Sequence, residues 1–286
     1  MRMKIAAVAA VLIAPLFAVP LAAQAPVTLK TTEFGSGPTV VLVHGLGGAR
    51  LQWMPTARKL MNDHRVVMVD LPAHGDSPMP EPFSLQACAA ALGQVLARQK
   101  AESTVVVGHG LGGAIALLEA GAHPGSMRGL VLIDASLKAP MAIPDQQKRQ
   151  FLEFMDANFA EFLKQVYVNM GRDSAEGVAL CARAALVPQP HMKAYFHALF
   201  DLDAARTVRG LKTPVLFVGS SRSWPDTVSW AAVAKQRGLE DAGAIRARRV
   251  ANSGVQMYAD QPDTLAAVIR GFEATVPARG PIGSKE

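Results

Sequence analysis

Residues 105–114, with the sequence VVVGHGLGGA, predict a β-strand that enters a tight glycine turn and leaves it as a helix. A sharp turn of this kind can hold the side chain at its apex in position for nucleophilic attack, and Ser, Cys or Asp would supply the attacking atom. The apex residue here is Gly110, which has no side chain. The shape of the segment therefore predicts a scaffold for covalent catalysis. The absence of a side chain at its apex argues that this catalysis does not take place.

The elements that must position this turn alternate between strand and helix along the chain. Apolar runs rich in β-branched residues predict strands buried on both faces, and amphipathic runs between them predict helices. The alternation predicts an α/β fold with a doubly wound, mostly parallel sheet. Strands are predicted at 27–33, 39–43, 65–69, 104–107, 129–133, 214–218 and 245–251, and helices at 50–62, 84–100, 114–122, 226–237 and 262–272.

Two segments interrupt this alternation. Residues 140–207 contain no buried strand but have Phe-rich helical spacing, which predicts a helical cap inserted into a core made of residues 26–139 and 208–286. Residues 1–25 have a basic start, an apolar run and an Ala-x-Ala ending, which predict a cleaved signal peptide and an exported, periplasmic or secreted protein. A leader that stays uncleaved would instead anchor the chain in a membrane.

Composition excludes several classes of function. The chain of 286 residues has a net charge of +6, but its cations are dispersed, which disfavours a nucleic-acid partner. The spacing of Cys and His does not fit a metal site, and the glycine-rich turn lacks the residues of a nucleotide-binding loop, so no cofactor is expected. Cys88 and Cys181 lie in predicted helices, where a disulfide stays open but two reduced side chains are favoured.

Four motifs occur in an order that resembles the capped, esterase- and lipase-like serine hydrolases of the α/β-hydrolase superfamily. They are HGLGG at 44–48, DLPAHGDS at 70–77, the glycine turn, and NSGVQMYADQP at 252–262. The resemblance extends over nearly all of the chain after the leader and implies that hydrolase fold with a helical cap.

The resemblance also implies roles for particular positions. The backbone amides of Leu46 and Leu111 would form the oxyanion hole. Gly110 stands where the family has its nucleophile, and Val255 stands where it has its catalytic His. Asp134 or Asp226 would be the acid of the triad.

Three histidines lie near these positions. His44 and His74 are expected to stabilise their loops, and the side chain of His109 is expected to point away from the reaction centre.

These assignments predict a protein that cannot hydrolyse esters through a Ser–His–acid triad. A pseudoenzyme of this kind could still bind a small apolar or ester ligand under the cap. The alternative is an active, esterase-like hydrolase with an unorthodox nucleophile or base, such as a water molecule activated by Asp134 or by a loop histidine.

Overall fold

A computed structural model describes residues 27–240 and 245–277, so the predicted leader at 1–25 lies outside the described residues. The described strands form one seven-stranded sheet with the order β1-β3-β2-β4-β5-β6-β7. Only β1 is antiparallel to its neighbour. The strands are β1 Thr31–Phe34, β2 Thr39–Val43, β3 Arg65–Val69, β4 Thr104–His109, β5 Gly129–Ile133, β6 Val215–Ser220 and β7 Arg246–Val250. The predicted mostly parallel, doubly wound sheet is confirmed.

Helices cover both faces of the sheet. Short 3₁₀ helices at Arg50–Trp53 and Ala101–Ser103 precede α1 and β4. The α-helices are α1 Met54–Leu60, α2 Leu85–Ala97, α3 Leu111–Ala122, α4 Asp145–Ala157, α5 Phe159–Val168, α6 Ser174–Ala184, α7 Gln189–Phe200, α8 Ala205–Arg209, α9 Trp230–Arg237, α10 Met257–Asp260 and α11 Pro262–Thr275. None of these helices, which come from the described residues alone, is long and apolar enough to cross a membrane.

The buried strands contribute side chains to two cores, one on each face of the sheet. Val41 and Val43 pack with α2, α3 and α9, whereas Val40 and Leu42 pack with α1 and α11. Successive residues of a strand point to opposite faces, so a strand covered on both sides needs an unbroken apolar run. This requirement explains why all five residues of β2 are buried.

Helices α4 to α7 lie between β5 and β6 and have their own apolar core, which includes Phe159, Tyr167 and Phe196. The two ends of this insertion meet where Lys138 and Asp203 form an isolated antiparallel bridge. The insertion therefore leaves the sheet and returns to it at one place.

The structure corrects one predicted helix. The sequence predicts a helix from residue 226, but α9 begins at Trp230, after the side chain of Ser229 accepts a hydrogen bond from the amide of Ala232. Upstream, the indole of Trp224 donates to the carbonyl of Val228 at 2.8 Å, which stabilises a turn instead of a helix. Asp226 is exposed in that turn and does not cap α9.

Candidate active site

The glycine turn between β4 and α3 holds two kinds of glycine. An ideal Cβ on Gly108 would lie 2.5 Å from the Cα of Gly113, so the close packing of strand and helix requires a glycine there. Gly110 has φ +51° and ψ −118°, a backbone conformation that side chains disfavour. An ideal Cβ on Gly110 would nevertheless meet only the Cα of Gly45, at 3.9 Å. The apex of the turn therefore has room for a side chain that the sequence does not supply.

His44 and His74 join the two loops that flank this turn. The Nε2 atom of His44 accepts from the amide of Leu71 at 3.0 Å, and that of His74 accepts from the amide of Gly47 at 3.0 Å. The Nδ1 atom of each ring faces a backbone carbonyl oxygen at 2.8 Å. Both side chains are buried, and burial lowers the pKa of His44 well below its usual value and that of His74 to about 4. Both rings are therefore neutral and positioned to stabilise the loops, as predicted.

The loop held by His74 carries Leu46, one of the two predicted oxyanion donors. Tyr167 of the insertion donates its hydroxyl to the carbonyl of Leu46 at 2.9 Å. Leu111, the other predicted donor, is the first residue of α3. In the part of the chain that the structure describes, neither amide has a hydrogen-bond acceptor. Both amides are therefore free to donate to a ligand.

A cavity of about 440 Å³ lies between the carboxyl ends of the strands and the insertion. Its lining brings together five of the residues predicted from the sequence, namely Leu46, Gly110, Leu111, Asp134 and Val255. Asp226, the sixth, is exposed and does not line this cavity. The insertion supplies a wall that is largely apolar, made of Val166, Met170, Leu180, Phe196 and Leu199.

Asp134 follows β5 with φ +50° and is fixed by the next strand. Its Oδ1 atom accepts from the amide of Ser220 at 2.8 Å and from the hydroxyl of Ser223. Its backbone carbonyl accepts from Nη1 of Arg237 at 2.9 Å. A carboxylate with this support is well placed to orient a neighbouring donor in the cavity.

The loop that carries Val255 is attached to the insertion. The amide of Gly254 donates to Oδ2 of Asp260 at 2.8 Å, and Nη2 of Arg172 lies 3.1 Å from Oδ1 of the same carboxylate. Arg183 donates to Oε1 of Gln256 at 3.3 Å. The position expected for the base is thus held in place, but Val255 cannot transfer a proton.

Two residues of the cavity were misjudged or missed in the sequence. His109 was expected to point away from the reaction centre, yet it lines the cavity, and its buried Nδ1 has no partner among the described residues. Burial lowers the pKa of His109, which outweighs the opposing effects of Asp134 and the Val255 backbone. Arg237, at the end of α9, also lines the cavity, and no motif marks it.

The described residues hold no group of three or more His, Cys, Asp or Glu side chains that could bind a metal ion. Cys88 and Cys181 are both free thiols. Cys88 is buried and lies 3.5 Å from the hydroxyl of Tyr195, as a small core side chain would.

The sequence profile of the Alpha/beta hydrolase family matches residues 40–268, and the chain belongs to that family. The chain is 34% identical to the pimeloyl-[acyl-carrier protein] methyl ester esterase of Pseudoalteromonas atlantica over an alignment of 158 residues. This alignment covers 54% of this chain and 57% of that protein. It spans about half the length of the curated relatives it matches.

Solved structures agree on the fold. A hydrolase from Oleispira antarctica superposes with a TM-score of 0.71 at 18% identity and covers 86% of this chain and 94% of that one. An esterase from Thermogutta terrifontis superposes with a TM-score of 0.70 at 19% identity and covers 87% and 94%. The chain therefore has the fold of these solved hydrolases and belongs to the Alpha/beta hydrolase family.

Proposed function

We propose that this chain is a pseudoenzyme of the Alpha/beta hydrolase family, which binds a small, partly apolar ligand and does not hydrolyse esters through a Ser–His–acid triad. The observation that carries the proposal is the apex of the glycine turn. Gly110 lines the cavity beside the amides of Leu46 and Leu111, with space for a side chain and none present. Val255, which cannot act as a base, lines the same cavity.

The magnitude of the expected defect follows from how a triad works. The nucleophile and the base act as a unit, so losing either lowers kcat by about 10⁶, and losing both costs little more. The oxyanion amides and substrate binding alone can leave a rate about 10³–10⁴ above that in water. Ester hydrolysis by the unmodified chain is therefore expected near the limit of detection.

Binding does not need the missing side chains. The cavity volume of about 440 Å³ falls within the range of about 300–1,000 Å³ that is usual for small-molecule sites. An apolar wall with a few convergent polar groups is also the usual composition of such sites. These features support a retained ligand site under the cap.

The test restores the two positions together. We expect the unmodified protein neither to hydrolyse p-nitrophenyl butyrate nor to react with a fluorophosphonate probe. The double variant Gly110→Ser/Val255→His should gain turnover and labelling, because the ideal Cβ at Gly110 has only a 3.9 Å contact. The matched control Gly110→Ala/Val255→His has the same backbone strain and lacks only the hydroxyl, so it should stay inactive.

Two results would contradict the proposal. Robust hydrolysis by the unmodified protein, retained through a second purification, would refute the assignment as a pseudoenzyme. A double variant that folds and remains inactive would refute the placement of the nucleophile and the base.

The second candidate function is hydrolysis by an activated water molecule. It is favoured by one observation, which is that Asp134 and His109 line the same cavity as the free amides. In that case Asp134→Asn or His109→Gln would abolish a measurable turnover of the unmodified protein. Under the first proposal neither substitution changes the background rate.

Export is a separate proposal that rests on residues 1–25 alone. We propose that the leader directs the chain out of the cytoplasm and is then removed. Mass spectrometry of the protein from a periplasmic extract should give a mature chain that begins near residue 26, and an intact leader in the membrane fraction would contradict cleavage.

A further inference from the structure

Strand β7 combines a concentration of positive charge with an open backbone edge. It carries Arg246, Arg248 and Arg249 and is last in the order of the sheet. It pairs with β6 on one side, and no strand of the described chain pairs with it on the other. Because alternate residues of a strand direct their N–H and C=O groups to each side, a row of backbone donors and acceptors along this edge has no strand partner. None of the residues of β7 lines the cavity under the insertion.

The arginines of β7 have no acidic partner among the described residues. The guanidinium of Arg246 lies over the ring of Phe272 in α11, 5.6 Å from its centroid. Arg248 is exposed and Arg249 is half-buried, and within the described chain neither side chain forms a hydrogen bond or an ion pair. Like charges that lie close together repel each other, so this strand favours a negatively charged neighbour.

The positive charge extends to both faces of the sheet. Side chains alternate along a strand, so Arg246 and Arg248 point to the face covered by α11, and Arg249 points to the opposite face. An extended chain beside β7 would also present alternating side chains, spaced roughly 6.6 Å apart on each face, next to these arginines. A membrane surface offers charge but no regular row of backbone groups, so it would leave the open edge unpaired. The arrangement therefore fits a polypeptide better than a lipid surface.

A second copy of this chain fits the edge poorly. An antiparallel pair of β7 strands would bring the arginines of the two copies together, and like charges on neighbouring strands are destabilising. Charged side chains on edge strands oppose self-pairing of this kind. An acidic chain would meet the same arginines with attraction instead of repulsion.

We propose that the edge of β7 binds an extended acidic segment of another protein by β-strand addition. Backbone hydrogen bonds along the open edge would hold the segment, and carboxylates on both of its faces would lie beside the arginines and select it. The partner is thus a protein with consecutive Asp or Glu residues in an extended stretch. This inference is independent of the ligand site and of the hydrolytic competence of the chain.

Fluorescence anisotropy of the full chain with labelled peptides tests strand addition. The first probe is a short peptide with an acidic run flanked by Val and Thr, and the second has the same sequence with methyl groups on successive backbone amides. Both carry the same charge, but the methylated peptide cannot donate hydrogen bonds along the run. We expect the first probe to bind and the second to bind about tenfold more weakly or less well still, since the backbone bonds supply much of the affinity. Equal binding of the two peptides would show undirected charge attraction and overturn the proposal, as would absence of binding by the first.

Paired substitutions then locate the binding site. Arg248→Gln/Arg249→Gln should weaken the acidic peptide about tenfold or more, whereas Arg248→Lys/Arg249→Lys keeps the charge and should retain most of the affinity. The matched control Arg58→Gln/Arg98→Gln removes the same charge from exposed positions of α1 and the end of α2, and it should bind like the unmodified protein. Equal weakening by the control pair would overturn the assignment to β7.

Two further measurements test the other occupants of this edge. Vesicles that contain phosphatidylserine should not retain the chain at physiological salt, and size-exclusion chromatography should give the same elution for the unmodified protein and the Gln pair at positions 248 and 249. Vesicle binding that is lost in that Gln pair, without peptide binding, would replace the peptide by a membrane. A dimer that the Gln pair abolishes would replace it by a second copy. Circular dichroism of the lysine pair, which keeps the charge of β7, shows whether substitution at these positions preserves the fold.

Discussion

Serine substitutions at three glycines should separate steric crowding from backbone strain in the turn. An ideal Cβ on Gly108 would lie 2.5 Å from the Cα of Gly113 and 2.6 Å from its amide nitrogen, both of which are backbone atoms. At Gly110 the nearest atom is 3.9 Å away, but φ is +51°. At Gly271 no heavy atom lies within 4 Å, and the residue is helical. Relative to Gly271, Gly108 therefore adds only steric crowding by backbone atoms, and Gly110 adds only the strain of positive φ.

The expected changes in the free energy of unfolding follow from these distances. Gly110→Ser should be less stable by about 1–3 kcal/mol, the cost of holding a side chain in a sparsely populated backbone region. For a chain of this size that lowers Tm by roughly 2–4 °C per kcal/mol. Gly108→Ser must separate β4 from α3 and should lose more than about 4 kcal/mol, a large part of the stability of a typical domain. Gly271→Ser should gain up to about 0.5 kcal/mol from helix propensity.

Urea unfolding followed by far-ultraviolet circular dichroism measures all three. If the variants share one dependence of the unfolding free energy on urea concentration, the difference between their urea midpoints gives the change in the free energy of unfolding. A Gly110→Ser variant as stable as Gly271→Ser would refute the claim that the backbone at the apex is held at positive φ. A Gly108→Ser variant that is milder than Gly110→Ser would refute the close approach of strand and helix.

Two further predictions concern titratable groups. Nε2 of His64 lies 2.7 Å from Glu273, and this hydrogen bond raises the pKa of His64 above its unfolded value near 6.5. The pair therefore stabilises the fold fully below about pH 6.5, and its contribution to stability falls as the pH rises through the folded pKa. The stability difference between the unmodified protein and His64→Gln should thus shrink from pH 6 to pH 9; a constant difference would contradict the pairing. Burial raises the pKa of Cys88 to about 11, so Ellman's reagent at pH 8 should detect at most one thiol in the native protein and two after unfolding.

Residue types and spacing were sufficient to predict the sheet and the turn. The unbroken apolar run at 39–43 indicates a strand buried on both faces, and β2 occupies that range. Gly110 was predicted as the apex because it is the middle residue of a glycine turn between a predicted strand and a predicted helix. In both cases the cause is local, so it leaves a local pattern.

Contacts between distant parts of the chain left no such pattern. Arg237 meets Asp134 across 103 positions, and Tyr167 meets Leu46 across 121. The predicted start of α9 failed for a different, local reason, since the hydrogen bond from Trp224 to the carbonyl of Val228 and the contact of the Trp224 and Trp230 rings, 5.2 Å apart, stabilise a turn before the helix. Only the folded chain shows which charged side chains line the cavity.

The parts of the site differ in how strongly the fold depends on them. His44 and His74 satisfy buried backbone amides of two loops, so replacing either would leave an unpaired donor and destabilise the loop that carries Leu46. An added side chain at Gly110 would have one ordinary contact, so its presence or absence changes packing little. The loop that carries Leu46 is therefore maintained by interactions that the fold itself needs, whereas the packing does not need a side chain at Gly110. Under the proposed function, a chain selected for binding alone would keep the amides of Leu46 and Leu111 and could dispense with a side chain at Gly110.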